Sequence, residues 1–548
     1  MSIFTSIVAM AQHVVNCDFT SQTNNITNST EWSNSLYRVE GCIHVTNGNT
    51  LTIDAGVIVM FEKSVSAALI IDKGAKLVVN GTSMSPVIFT SDQTPGNKAY
   101  GDWEGLIIEG QASNNVSGGS ISLSGRSSCS SISGGGSTDG DNSGTIEYLR
   151  IEYANYGITF LSVGSGTTVD HIQTSYIANN AFEFYGGTVD AKNLISYNAK
   201  GDDLMFTDGN RSLIQFAVSV RLDVSNAHLS SGSNAVVITN DATGSSNTPF
   251  THPVVSDMTI IGPLYCGATS ISADYKNAVL YDENAHGGLY NGFITGWPTG
   301  FLINDASSIN NSNTTPAAST LNFSDNSFTS NTTDYTSGTT WPSGGCATSM
   351  SSWIMNGGLS SCSQMHNQFP TFTTGLSSTI CGTYSTTPPS FQLSTTSLKG
   401  SDYTDASDLS NAFFNTSTRK HGGFTTSSGS DWTTTWTNWN PQAFNPCTEG
   451  RMSNPTSVNN IAAGNITGLQ LAPNPSSGTT YANFNVLADG NVTISVVDNA
   501  GRVLRTTQSN VAKGNQHIAV DTKGLATGIY IIKVQSSNSL MHAQLVVE

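Results

Sequence analysis

Charge is what this sequence has least of. Only 11% of its 548 residues are Asp, Glu, Lys or Arg, where globular chains usually carry about a quarter. Basic residues are the scarcer kind: 21 Lys and Arg face 38 Asp and Glu, a formal net charge of −17. That excludes a nucleic-acid surface, which needs a basic face to neutralise phosphates. It also disfavours polyuronate ligands unless bound cations intervene. Long apolar runs are missing too, and none reaches the roughly 20 residues of a membrane-spanning helix. Helical periodicity is nearly absent. No Cys-x-x-Cys, His-x-His or His-Glu-x-x-His occurs, so zinc and thioredoxin-like chemistry lack their spacing. Phosphate loops, dinucleotide fingerprints and Gly-x-Ser-x-Gly elbows are absent as well.

What remains is Gly, Ser, Thr and Asn around many Val, Ile, Phe and Tyr, with hydrophobic residues at 37%. This composition fits short strands joined by turns. Between about residues 36 and 300, segments such as "TLTIDAGVIVMF", "AALIIDKGAKLVVNG", "WEGLIIEG" and "DMTIIG" follow one another. Thr168-Val169-Asp170 returns 20 residues later as Thr188-Val189-Asp190, and a looser copy, Thr145-Ile146-Glu147, lies 23 residues before the first. Such intervals suit one turn of a parallel β-solenoid, whose coils bury their inward side chains only by stacking. On this reading Val169 and Val189 stack inside with Ile146 as a third rung, and Asp170 and Asp190 point out at one corner.

The expected fold is all-β: a right-handed parallel β-helix, then a small antiparallel β-sandwich. The preference of parallel crossovers supplies part of the argument for the hand. The helix is assigned residues 12–449, with irregular insertions near 113–144, rich in Gly and Ser, and 305–390, rich in Ser and Thr. Residues 1–11 read as a signal peptide cleaved between Ala11 and Gln12; the competing reading is a buried strand. Residues 450–468 look like a linker. Residues 469–548 alternate as sandwich strands between tight turns. Eight cysteines, an even and scattered set, imply structural disulfides in an exported protein. Cys17 with Cys42 and Cys346 with Cys362 are the local pairings considered, though spacing leaves connectivity open.

The tail closely resembles the type A C-terminal sorting domain of the type IX secretion system of Bacteroidota. The matching features are Pro473-Asn474-Pro475, the "VTISVVDNAGRVL" hairpin with Gly501, and "GLATGIYIIKV" with Gly528 and Tyr530. The resemblance implies export through the periplasm, handling by an outer-membrane translocon and shuttle, and removal of the tail by a sortase. The product is then attached to the cell surface or released. The body resembles exported β-helix proteins that carry this same tail, through "GDWEGLIIEG", "DGDNSGTIEYLRIEY", "THPVVSDMTIIG" and "SDWTTTWTNWNPQ". That likeness implies a right-handed β-helix and an extracellular location, without a defined activity.

Three groups carry candidate chemistry. Asp139-Gly140-Asp141-Asn142 begins like a calcium loop, but the twelfth position is Arg150 rather than a bidentate Glu, so an Asx-rich turn competes. Asp202-Asp203, followed by Asp208, Arg211 and Arg221, could hold calcium and present an arginine base, as in a polysaccharide lyase; an ordinary turn competes. Trp432, Trp436 and Trp439 either stack on sugar rings or cover the open end of the solenoid, and the cover is the reading preferred. Two function classes follow: a non-catalytic surface protein for adhesion, glycan contact or assembly, which is favoured, and a calcium-dependent lyase or glycoside hydrolase. Calcium is the one cofactor considered.

Overall fold

The computed structural model describes residues 14–15, 17–123, 126, 129, 132–224, 232–314, 320–343, 345–355, 366–369, 378–381, 389–392, 401–404, 407–416, 422–424, 431–449, 466–497, 503–536 and 539–547. The chain divides into two compact units, Met1–Asn454 and Pro455–Glu548. Ala11, Gln12, Gly501 and residues 450–465 of the expected linker lie outside the described residues.

The first unit is a parallel β-helix with three faces, each gaining one strand per coil. In the middle coils a single long strand serves two faces. These strands are Gly144–Glu152, Thr168–Ser175, Asp190–Tyr197, Leu213–Val220 and Val254–Ile261. The bend between their halves falls on one residue per coil at positive φ: Tyr148, His171, Asn193, Phe216 and Asp257, and then Asn291 and Asp325 in later coils. Asn and Asp accept this left-handed conformation readily; Tyr, His and Phe rarely do. The third face is a sheet of ten strands, including Ala68–Ile71, Gly105–Glu109, Ile158–Leu161, Phe182–Tyr185, Leu204–Thr207, Val236–Thr239, Asn277–Asp282 and Thr299–Ile303.

Alternate side chains point inward and stack as ladders. Ile146, Val169, Ala191, Ile214, Val255, Leu289 and Phe323 form one such column, all buried. Phe160, Phe184 and Phe206 form another, their rings stacked at 5.0 and 4.8 Å. Ile146 is therefore the rung expected beneath Val169, whereas Val189 is not the rung above it. Val169 pairs with Ala191, so the exact triplet repeat is out of register by two residues. Val189 is buried, but it precedes the strand that starts at Asp190. Asp170 and Asp190 accordingly occupy different columns: Asp170 lies beside Lys192, and Asp190 lies beside Thr168.

The segment near 113–144 is more than a loop. It contains the antiparallel pair Ile121–Ser122 and Ser133–Gly134. Ile121, Cys129 and Ile132 press onto Ala68, Ile70, Ile107 and Leu161 outside the third sheet, where a Cys42–Cys129 disulfide anchors them. Two further bridges among the described residues are Cys17–Cys447 and Cys266–Cys381. The local Cys17–Cys42 pairing is thus overturned, because the fold returns a distant segment to Cys17. Cys346 is disulfide-bonded, and Cys362 lies outside the described residues.

After the last coil the chain runs back along the outside of the helix. Leu409 and Phe414 cover Val254 and Tyr290. Further on, Trp436 and Trp439 join Phe424 over Ile195, Tyr197, Val218, Val220 and Ile261. Phe444 reaches Met60 and Ile88 before Cys447 meets Cys17. This return strap is also pinned by polar contacts. Gln173 exchanges hydrogen bonds with the Asn438 backbone at 2.8 and 2.9 Å, and the buried Lys98 donates to the Pro441 and Phe444 carbonyls.

The second unit is a β-sandwich. One sheet holds Ile466–Ala472, Thr479–Val486 and Gly514–Asp521. The other holds Gly490–Val497, Val503–Val511, Gly528–Ser536 and Ser539–Val547. Its first strand starts at Ile466, three residues before the boundary set from sequence. Pro473-Asn474-Pro475 follows that strand: the Pro473 carbonyl accepts from Thr480, and the Asn474 amide oxygen accepts from the Val546 amide. Gly528 opens its strand, and Tyr530 is buried with its hydroxyl donating to the Ala526 carbonyl.

Candidate functional site: the outer face of the third sheet

Beyond the anchored insertion, the third sheet carries side chains in two outward columns. Glu183, Met205, Val237, Leu280 and Leu302 form the first; Tyr185, Thr207, Thr239 and Asp282 form the second. Four ladder steps of ~4.8 Å give the first column a length of ~19 Å. Met205, Leu280, Leu302, Tyr185, Thr239 and Asp282 are half-buried, which is how flat-lying side chains on a solvated sheet look.

One end of the strip is organised by Glu183, itself fully buried. It accepts from the Arg126 guanidinium and from Thr159 Oγ1 at 2.7 Å on one oxygen. Its other oxygen accepts from Asn180 at 3.0 Å and the Tyr185 hydroxyl at 3.5 Å. The Arg126 guanidinium lies 3.7 Å from the centre of the Tyr156 ring, within cation–π range. One margin of the strip is an amide ladder. The Asn180 side-chain oxygen accepts from the Asp202 amide, Asp202 accepts from Asn234, and Asn234 accepts from Asn277, at 2.8 to 3.2 Å. On the other side Thr239 donates to Thr207 at 2.9 Å.

The residues expected to form a lyase centre are dispersed. Asp203 and Arg221 are an ion pair at 3.0 Å with no exposure, supported by Ser196 and Ser219 on the carboxylate and by the Ala199, Gly201 and Asn234 carbonyls on the guanidinium. Every charge there is satisfied inside the coil, where substrate has no access. Asp202 stands in the amide ladder, and burial raises its pKa to about 6 against the Asn234 hydrogen bonds. Burial raises Asp208 to about 6 as well, with Asp241 adding repulsion. Arg211 turns away to Asp139, donating to both of its carboxylate oxygens at 3.1 Å.

That last pair joins two candidates proposed for different chemistries. Despite opposition from burial, Arg211 and Ser113 hold the Asp139 carboxyl at about 2. Its oxygens are thereby occupied. Asp141 accepts from the Gln111 amide and Ser143, and the Asn142 side chain accepts from the Gly144 amide at 2.8 Å, the geometry of an Asx turn. Among the described residues, no three His, Cys, Asp or Glu side chains converge as metal ligands.

The tryptophans are neither a sugar platform nor an end cap. Trp436 is 1% and Trp439 5% exposed, and half-buried Trp432 stacks on Phe424 at 5.6 Å. They seal the strap against the flank of the middle coils: Trp436 meets Tyr148 and His171, and Trp439 meets Tyr197. At the last coils, Trp353 on the helix Met350–Met355 packs into the same core as Phe301 and Phe328.

Glu109, Arg126, Glu183 and Tyr185 escaped the sequence reading. The alternation in "FEFY" could have flagged Glu183 as outward-facing, but nothing nearby in sequence indicates that Arg126 meets it. Glu109 accepts from the Ser133 amide of the insertion at 2.8 Å. Burial, with repulsion from Asp72, raises its pKa to about 7. A carboxyl whose folded-state pKa is raised binds extra protons when folded, so stability falls as pH rises from about 4 to about 7. Glu109→Gln should flatten part of that fall in urea melts taken across this range.

A β-helix delivered outside the cell with a separable sorting sandwich is the class these features define. Residues 24–377 match the family model described as a pectate-lyase like beta helix domain, and residues 470–548 match a secretion system C-terminal sorting domain. The chain belongs to that β-helix family. Its tail places it under the type IX secretion system and locates it at the cell surface or in the extracellular space. No curated protein matches. Among solved structures, it is similar to full-length tailspike protein 2 from Escherichia coli O157:H7 bacteriophage CAB120, at 9% identity and a TM-score of 0.26, covering 96% of this chain and 64% of that one. It is also similar to the enzymatically active domain of bacteriophage CBA120 tailspike protein 2, at 9% identity and a TM-score of 0.19, covering 96% and 72%.

Proposed function

We propose that this is a non-catalytic, surface-delivered glycan-binding protein whose ligand lies along the outer face of the third sheet. The observation that carries the reading is the in-register strip from Met205 to Leu302, apolar along its centre and lined by amide and hydroxyl groups at its margins. Pyranose rings present the complement, with C–H faces that seek apolar or aromatic surface and hydroxyl edges that seek hydrogen-bond partners. Tyr185 and Tyr156, held by Glu183 and Arg126, extend that surface toward the insertion. Adhesion to a glycan-coated surface is the role this suits.

The test is a glycan panel measured with and without a chelator, following both binding and release of cleaved products. Binding is expected to survive chelation, because the Asp139, Asp141 and Asn142 oxygens already have protein donors. Tyr185→Ala and Met205→Asp should each weaken it about tenfold or more, about 1.4 kcal/mol. Unsaturated or hydrolysed oligosaccharides appearing with the wild-type protein would instead establish an enzyme.

A further inference from the structure

The glycan-binding strip has acidic margins. Asp282 continues the second column directly beyond Thr239, so its carboxylate stands on the face itself. Glu283 follows it, and Asp241 and Asp305 lie near enough that, after burial, all three neighbours disfavour its charged form. Across the strip, Asp202 supplies a further carboxylate within the amide ladder. The cations beside this face are already engaged. Arg126 is paired with Glu183, and the Lys276 ammonium donates to the Ala273 carbonyl at 2.7 Å.

A polyuronate laid on this strip would set its carboxylates against Asp202, Asp282 and Glu283 with no released cation to offset them. A neutral polymer could donate hydroxyl hydrogen bonds to those acids but would gain no charge pairing. A polymer bearing ammonium groups would gain at both margins while keeping its ring faces on Met205, Val237, Leu280 and Leu302. We infer that the ligand is an amino-sugar polymer, a linear glycan with free amines along its length, bound parallel to the solenoid axis between Asp202 on one side and Asp282 and Glu283 on the other. The inference rests on the glycan-binding reading and names the chemical class that the same face would take.

The experiment uses the full chain and three probes: fully N-acetylated glucosamine oligomers, the same oligomers partly deacetylated, and oligogalacturonate. The deacetylated probe should bind about tenfold more tightly than the acetylated one at low ionic strength, an advantage that shrinks as salt screens it. Oligogalacturonate should not bind. Asp282→Asn combined with Glu283→Gln should remove most of the advantage, read as the ratio of the affinities for the two glucosamine probes. Glu147→Gln combined with Asp170→Asn, on a different face, removes the same formal charge and should leave the advantage intact. Equal affinity for the two glucosamine probes, or binding of oligogalacturonate, overturns the inference and leaves the glycan-binding reading standing. Equal loss in both double variants also overturns it, since the overall charge of the protein would then explain the preference. If none of the probes nor any glycan of the panel binds, the glycan-binding reading itself fails, and a second copy of the chain becomes the occupant to test by sedimentation.

Discussion

Asp203→Ala should destabilise the β-helix by about 3–5 kcal/mol, the usual penalty for leaving one member of a buried ion pair without its partner. The residue has no exposure, and its removal strands the Arg221 guanidinium among three carbonyls and the Ser233 hydroxyl inside the coil, and leaves Ser196 and Ser219 without their acceptor. The measurement is a shift in the urea midpoint of the first unit, with the second unit's transition as an internal reference. Asp203→Leu with Arg221→Met should recover only part of the loss, because the Ala199 carbonyl would lose its donor and Ser196 and Ser219 their acceptor, while the Gly201 and Asn234 carbonyls keep the Ser233 hydroxyl and the residue-203 amide. A midpoint within error of wild type for Asp203→Ala would mean that the pair is solvated, and would return Asp203 to the list of residues able to meet a substrate.

The second large effect concerns the strap. Trp436→Ala removes a side chain that is 1% exposed and wedged edge-on against Tyr148 and His171. Truncations of this kind typically cost about 3–5 kcal/mol. The loss should appear locally, since the strap packs on the outside of coils that keep their own ladders. Hydrogen exchange should accelerate across residues 431–444 while the strands Thr168–Ser175 and Asp190–Tyr197 stay protected. Trp432→Ala, at a half-buried position, should do the same to a lesser degree. Simultaneous loss of protection in both strands and strap would show instead that the tryptophans hold the coils themselves together.

The parallel β-helix was legible because stacking imposes repetition, and repetition survives in composition and spacing. Register was only half legible. Ile146 and Val169 announce their pairing, but the more exact echo at Val189 misleads by two residues. Pairing is counted from the corner where the backbone turns left-handed, and that corner specifies a conformation rather than a letter. Tyr148, His171, Asn193, Phe216 and Asp257 fill equivalent positions with five different side chains. Contacts between distant segments left no trace at all. Arg211 meets Asp139 across 72 residues, and Gln173 meets Asn438 across 265. Such pairings emerge only once the path of the strap and of the insertion is known. Candidate chemistry was misjudged for the same reason: acidic doublets such as Asp202-Asp203 look alike in sequence, yet at the corner just before the strand Leu204–Thr207 one carboxylate enters the coil and the other stays at its rim.

The Cys17–Cys447 bridge closes a covalent loop in the first unit, joining cysteines 430 positions apart in sequence. Force drawn along the polypeptide from beyond Cys447 is handed across that bond to Cys17 and bypasses the coils between them. A protein pulled from the residues just after Cys447 would thus resist being peeled open rung by rung. A single proteolytic nick between the two cysteines would likewise release no fragment until the bond was reduced.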